Sequence, residues 1–270
     1  MIDPFEFTCR PAHIIFGVGA LERAGEAVRS QGCERAIVWS TPAQAQSAEA
    51  LADQLGELCV GTFSGAAMHT PVDVTARALD IARGLGADCT VALGGGSTTG
   101  LGKALAYRTD LPQIVIPTTY AGSEVTPILG QTEDGAKTTL KDPRVLPEVV
   151  IYDPALTTGL PLAMTVTSAL NALAHAVEAL YARDRNPVSS LMAAEGINAM
   201  IRALPVIREQ PEDLGARGQA LYGAWLCGSV LGTVGMALHH KLCHTLGGTF
   251  DLPHAETHAV VLPHATAFNA

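Results

Sequence analysis

The chain is short of positive charge. Seventeen Lys and Arg face 26 Asp and Glu, a formal net charge of −9 over 270 residues. That balance excludes the basic surface needed for nonspecific binding to nucleic acid or an anionic membrane. An anionic substrate would need a local positive pocket set against the overall field. Charged residues make up only 16% and aromatics 5%, whereas 48% are hydrophobic, so the composition is that of a well-buried globular protein and excludes disorder. No CxxC pair occurs. Cys9, Cys33, Cys59, Cys89, Cys227 and Cys243 are scattered, which points to reduced, mostly buried thiols of a cytoplasmic protein. The opening MIDPFEFTCR lacks the basic start and apolar run of a signal peptide. One uncharged run, residues 221–238, reaches the roughly 20 residues that cross a bilayer, and Gly228 and Gly232 are spaced as GxxxG. Gly223, Gly228, Gly232 and Gly235 dilute its hydrophobicity and histidines follow at once, so we read it as a buried helix.

What is present divides into two halves. Short β-rich runs at 36–39, 58–63, 89–93, 113–116 and 149–152 alternate with helical spacing at 43–55, 72–85 and 94–106. Strands of four to six residues alternating with helices of about a dozen imply right-handed βαβ units and a parallel sheet. Residues 127–139, with Gly130, Asp134 and Gly135, break the alternation as a β-hairpin or excursion. After about residue 160 the strand signal ends, and 162–181, 188–203, 213–231 and 235–246 read as helix. The expected fold is therefore α/β, an N-terminal doubly wound parallel-sheet nucleotide-binding domain (1–157) followed by an all-α catalytic domain (158–270). Without a flexible linker, the halves are expected to share a packed interface with a cleft. The run 258–269 stays apolar to its last residues, so the helical domain is expected to be incomplete.

Two stretches carry chemistry. LGGGSTTG, residues 93–100, follows a strand and opens a helix. It is neither the GxGxxG fingerprint nor a P-loop. Consecutive glycines let backbone N–H groups approach a pyrophosphate, and a helix N-terminus favours negative charge; a tight turn needing positive φ is the plainer reading. Lys103, two turns on, is either a solvated lysine or a second anion contact. TTYAGS, residues 118–123, follows the next strand, where open parallel sheets collect ligands; it is a ribose or phosphate contact, or simply a hydroxyl-rich turn.

The second stretch holds six of the nine histidines: His239, His240, His244, His254, His258 and His264. They lie among small apolar residues. Asn171 and His175 are four apart on one helix, as are His240 and His244 on another, so each pair shares a face. Such pairs on facing helices are how bundles build metal or proton-transfer sites.

GGGSTTGLGKALA, IPTTYAGSE, the lysine of EDGAKTTL, VIYDPALTTGLP, ALNALAHAVEA and HHKLCHTLGGTFDLPHAETHAVVLPHATAFN together resemble the iron-containing alcohol dehydrogenase family, which has a dehydroquinate-synthase-like fold. The resemblance runs from about Pro11 to the last residue. It implies that Gly94, Gly95, Gly96, Ser97, Thr118, Thr119, Ser123 and Lys137 contact a nicotinamide dinucleotide; Lys137 read alone could be a surface lysine of the hairpin. Ser40 stands where many relatives carry a ribose-binding aspartate, and a serine tolerates a 2′-phosphate, so NADH and NADPH both remain open. The family's metal ligands, an aspartate and three histidines, fall on Asn171, His175, His240 and His254, with His244 a further histidine near the nicotinamide. Asn171 removes the only anionic ligand, so no tightly bound metal is expected. Gly100 and Gly102 also replace the family's usual aspartate and alanine. These departures resemble a branch whose members reduce the double bond of maleylacetate to give 3-oxoadipate, without a metal, in the breakdown of aromatic compounds.

In that branch His175, His240 and His254 become substrate binders and oxyanion stabilisers, His244 the preferred proton donor, and Asn171 a hydrogen-bonding partner for a carboxylate or carbonyl. Lys241 and Arg144 either neutralise substrate carboxylates or are surface charges. A homodimer is the family expectation, with a small dicarboxylate as the partner molecule and neither nucleic acid nor membrane. Two alternatives stand beside this: an Fe- or Zn-dependent alcohol dehydrogenase, and a non-catalytic nucleotide-binding protein.

Overall fold

Strand β2 (Ala36–Trp39) shows how the α/β part is built. Successive side chains of a strand point to opposite faces. Ala36 and Val38 pack into one apolar cluster with Val28, Leu51 and Leu93, and Ile37 and Trp39 into another with Val74, Ala78 and Leu105. A strand apolar on both faces needs helices on both sides, which is the doubly wound arrangement. A computed structural model describes residues 5, 7, 12–250 and 252–270; Cys9, Pro11, Asp251 and most of the opening segment read above lie outside the described residues.

The chain divides into two units. One comprises residues 11–118 with 123–156, the other 119–122 with 157–270 and residues of the opening segment. In the first, a six-stranded sheet runs in the order β1-β8-β5-β4-β2-β3 with every pair parallel. Its strands are β1 (His13–Phe16), β2, β3 (Cys59–Phe63), β4 (Cys89–Gly94), β5 (Gln113–Pro117) and β8 (Val149–Tyr152). Between them lie α1 (Ala24–Ser30), α2 (Ala45–Leu55), α3 (Val72–Gly84) and α4 (Gly96–Thr109). The strand order reverses between β2 and β4, the place where such sheets bind ligands at their carboxyl ends. The expected excursion is the antiparallel pair β6 (Ile128–Glu133) and β7 (Ala136–Lys141), turning at Asp134 and Gly135 with φ of 48° and 77°.

The second unit is helical: α5 (Leu162–Tyr181), α6 (Pro187–Glu209), α7 (Leu214–Thr233), α8 (Leu238–Phe250) and α9 (His254–Asn269). α5 packs on α6, α7 and α9. Asn186 caps α6 in a reciprocal box with Ser189, and Asp213 caps α7 through Ala216 N. The glycines that dilute α7 have a packing purpose. A Cβ at Gly223 would lie 3.1 Å from Gly196 O and 3.0 Å from Met200 Cγ on α6.

Several expectations need correcting. β1 and α1 have no counterpart in the sequence pattern; β1 is four residues long and is held by register with β8. α6 continues past Pro205 to Glu209, because a proline near the last turn removes one N–H without breaking the packed face. The helix expected from 235 begins at Leu238, and 254–269 forms α9 despite Pro263. The uncharged run 221–238 is not one helix, since α7 and α8 meet at a 92° bend. By length and apolarity α6 alone, or α6 and that bent pair, could cross a bilayer, yet the α7 residues of the run are largely buried among the helices.

Gly223→Leu should destabilise the helical unit by about 1–3 kcal/mol through overpacking, read as a lower urea midpoint; an unchanged midpoint would show that α6 and α7 are not in close contact there.

Candidate functional site

At the carboxyl ends of the strands, Gly94 closes β4 with φ 151°, and a Cβ there would sit 2.5 Å from Thr98 Oγ1 and 2.7 Å from Gln44 Oε1. Gly95 occupies the N-cap position of α4 without a side-chain cap bond, and Gly96 is exposed, with open space where a Cβ would stand. The first amides of α4 are thus uncapped beside open space, which suits an anionic group. Ser97 is half-buried on the first turn. Thr118, after β5, donates its backbone N–H to Gly94 O at 3.1 Å, and its hydroxyl oxygen accepts from Gln44 Nε2 at 2.9 Å. The loops after β2, β4 and β5 are therefore tied together around the switch point. Ser123 is half-buried, with its hydroxyl oxygen buried and unbonded. Thr119 belongs to the helical unit, and Lys137 is exposed on β7.

Ser40, just after β2, is fully buried and its hydroxyl is engaged with Ser64 Oγ at 2.8 Å and Thr41 O at 3.1 Å. Two other expectations are corrected. Lys103 is neither solvated nor an anion contact. It is 1% exposed and its Nζ donates to Ser123 O, Thr126 O, Thr126 Oγ1 and Ile128 O at 2.6–2.9 Å. Burial pushes its ammonium down to about 7 against the attraction of Glu124. The lysine is a strut that fixes the turn following the TTYAGS stretch. Arg144 is committed to Asp142, to Tyr107 O at 3.1 Å and to the Tyr107 ring face, so it is not available to a substrate. Lys241 is exposed on α8.

In the helical unit the imidazoles converge. His175 on α5 stands 5.1 Å, ring centre to ring centre, from His240 on α8. His258 on α9 lies 4.3 Å from His254, 4.8 Å from His239, 4.9 Å from His240 and 6.5 Å from His175. His244 completes the set at 6.1 Å from His240 and 6.2 Å from His254. His264 is exposed and makes none of these ring contacts among the described residues. His175, His239, His240 and His258 are buried, while His244 and His254 are exposed at the edge. Burial and then neighbouring imidazoles push His175 and His258 well below the usual histidine value, and His239 down to about 4. These three rings are neutral at neutral pH.

Three members have no assigned role in the sequence reading of the site. His258 sits at the centre of the cluster, and His239 Nε2 pairs with its Nδ1 at 3.0 Å. Glu178, fully buried one turn beyond His175, contacts His240 Nδ1 and accepts from Ala237 N at 3.1 Å and His239 N at 2.7 Å. Burial pushes its carboxyl up, but the hydrogen bond and charge of His240, with those amides, outweigh this and hold it at about 2. A lone glutamate in the apolar run LAHAVEAL is the signal that could have found it.

The residues at the family's metal-ligand positions fit a tightly held dication poorly. Asn171 offers a neutral amide oxygen, buried and unbonded, in place of a carboxylate. Among the described residues, the group of three His, Cys, Asp or Glu donors in this unit whose ligand atoms all fall within 4.8 Å of one another is His239, Cys243 and His258, not His175, His240 and His254. His239 Nε2 already contacts both His258 and Cys243, the latter at 3.6 Å. The set offers hydrogen bonds and proton transfer to an oxyanion.

The chain is similar to known proteins over nearly its whole length. Residues 11–154 match Iron-containing alcohol dehydrogenase, and residues 165–270 match Fe-containing alcohol dehydrogenase family, C-terminal. The chain is 66% identical over 267 residues to a maleylacetate reductase of Rhizobium sp. (strain MTP-10005), covering 99% of this chain and 76% of that one. It is 60% identical to a maleylacetate reductase of Sphingobium indicum, covering 98% and 75%. The crystal structure of maleylacetate reductase from Agrobacterium tumefaciens superposes with a TM-score of 0.97 at 66% identity, over 99% of this chain and 76% of that one.

Two outcomes follow from this geometry. Gly94→Ala should cost about 1–3 kcal/mol of stability and weaken NADH binding, measured by urea unfolding and fluorescence titration; wild-type values for both would remove Gly94 from the cradle. Because the Glu178 carboxyl lies near 2 when folded and near about 4.3 when unfolded, its contribution is complete above about pH 4.3 and is lost as pH falls towards 2. Glu178→Gln should therefore flatten the acid limb of a stability-against-pH curve over that window and leave its slope near pH 7 unchanged.

Proposed function

Because this chain belongs to the iron-containing alcohol dehydrogenase family, we propose that it reduces the carbon–carbon double bond of maleylacetate, giving 3-oxoadipate, with NADH or NADPH as reductant. The observation that carries this is the series of relatives named maleylacetate reductase at 53–66% identity over at least 95% of the chain. The nicotinamide, when bound, supplies a hydride to the alkene carbon β to the ketone. The uncapped α4 N-terminus with Gly94, Gly95, Gly96 and Ser97 receives the pyrophosphate, and Thr118, Thr119, Ser123 and Lys137 are assigned further contacts with the dinucleotide.

Hydride addition moves an electron pair onto the ketone oxygen as an enolate. N–H donors aimed at such a developing charge lower the barrier without reorganising; the buried His175 and His240, with His254 at the exposed edge, are assigned this role. Collapse of the enolate requires one proton at the carbon next to the ketone. His244, at the exposed edge of the cluster, is assigned to deliver it and can be reprotonated from solvent. Asn171 can donate its amide N–H to a substrate carboxylate, where an aspartate would repel a dianion. No step runs through a metal, since the donor set lacks the anionic ligand. The same substitution disfavours an Fe- or Zn-dependent alcohol dehydrogenase. We place the enzyme in the cytoplasm, as a homodimer, acting in the breakdown of aromatic compounds.

NADH oxidation should proceed with maleylacetate and keep its rate after metal stripping with EDTA. Turnover that collapses on chelation and returns with Fe²⁺ or Zn²⁺ would overturn metal independence, and no turnover with maleylacetate would overturn the substrate. His244→Ala should lower kcat by about 10²-fold or more with NADH affinity kept; equal loss of both would make this histidine structural.

A further inference from the structure

Gln44 reaches the glycine turn of β4 from the loop after β2. Its Nε2 donates to Thr118 Oγ1 at 2.9 Å, and its Oε1 receives the Thr41 hydroxyl at 3.3 Å. Oε1 also stands 2.7 Å from where a Cβ on Gly94 would be. An oxygen therefore faces the Cα hydrogen on that side, where the reverse setting of the amide would press N–H groups against it. A threonine hydroxyl carries one proton and two lone pairs. Gln44 occupies a lone pair of Thr118, so the proton of that hydroxyl points elsewhere, and among the described residues it meets no acceptor. The backbone N–H of Thr118 is already bonded to Gly94 O, and 8% of the residue stays exposed. We propose that Gln44 is the positioning residue of the dinucleotide cradle: by donating to Thr118 Oγ1 it turns the hydroxyl proton away from its own loop and onto an oxygen acceptor of the dinucleotide.

The inference rests on the assignment of Thr118 to the dinucleotide made above, and it goes further by naming what sets the sense of that contact. The uncapped amides at the start of α4 are donors, and a pyrophosphate offers only acceptors. A Thr118 hydroxyl that gave its proton to its own loop would turn lone pairs towards the same anion. A tie between loops would be indifferent to this sense, because a glutamate of the same length could hold Thr118 by taking its proton. The two roles separate in Gln44→Glu. An ionised carboxylate only accepts, so the tie persists with its sense reversed and the dinucleotide loses a donor. The added charge repels the ligand as well, but it does so whether or not residue 118 carries a hydroxyl, and Thr118→Val isolates that part.

NADH binding by fluorescence titration, without maleylacetate, tests this apart from turnover and from the substrate assignment. Thr118→Val should weaken NADH about tenfold or more, the loss of one hydrogen bond to a charged group. Gln44→Glu at neutral pH should weaken it by about as much, yet by no more than about threefold when added to Thr118→Val. The same factor in both backgrounds would overturn the proposal, since Gln44→Glu would then act by charge alone, and wild-type affinity in Gln44→Glu would overturn it too. Thr118→Val with wild-type affinity would end the assignment of Thr118 to the dinucleotide, and this inference with it. Neutron diffraction of the wild-type chain with NAD⁺ in heavy water reads the deuterons directly. It should show a Gln44 Nε2 deuteron on Thr118 Oγ1 and the Thr118 hydroxyl deuteron on the dinucleotide. A hydroxyl deuteron pointing at the Gln44 side chain overturns the proposal even if no variant folds.

Discussion

A carboxylate with no access to water anchors the helical unit. Helices α7 and α8 meet at a 92° bend, and such a break leaves orphan N–H groups at the start of the second helix. Glu178 collects those of Ala237 and His239 and a ring nitrogen of His240 besides. A buried charge is tolerable only when its lone pairs are satisfied. Satisfying this one sets the direction in which α8 leaves the bend and therefore where His239, His240 and Cys243 lie. α9 then brings His258 against His239 and His240, and His254 against His244.

The α/β unit is organised by a different necessity. A dinucleotide cradle must present backbone, not side chains, so glycine is placed where a Cβ would collide, and loops must be held still by groups outside the cradle. Lys103 does this from within the core, using one ammonium to tie carbonyls of residues 123, 126 and 128. Gln44 does it from the neighbouring loop, bonding to Thr118 at 2.9 Å. Neither needs to touch a ligand to matter for binding it.

On the proposed reading, the chemistry of the helical unit turns on a single atom exchange. Replacing a carboxylate oxygen by an amide nitrogen at residue 171 removes the charge that would hold a dication and also the charge that would repel a dianion. What remains is a wall of imidazoles, three of them kept neutral by burial, beside an unbonded amide oxygen. Such a wall stabilises an oxyanion by donating hydrogen bonds, a task for which neutral and protonated rings both serve.

The alternation of short apolar runs with helical spacing is enough for the parallel sheet, the hairpin at Asp134 and Gly135, and helices α5 to α7, because period and turn chemistry are local properties. The glycine turn and the histidine cluster are legible for the same reason: residue type alone limits what they can do. β1 is not, since a four-residue edge strand is defined by its pairing with β8. Pro263 masks α9 in the same way, by hiding a packed helix behind a local breaker. Lys103 and Arg144 look alike as surface cations in the sequence, yet one is buried among carbonyls and the other closed onto Asp142. Glu178 and His258 become part of the site only through packing, since a carboxylate at 178 meets amides 59 and 61 residues away. The sequence determined which chemical groups were available and in what local frame; the tertiary structure decided which of them lost their water, and loss of water is what turns a histidine or glutamate into a group with one partner and one direction.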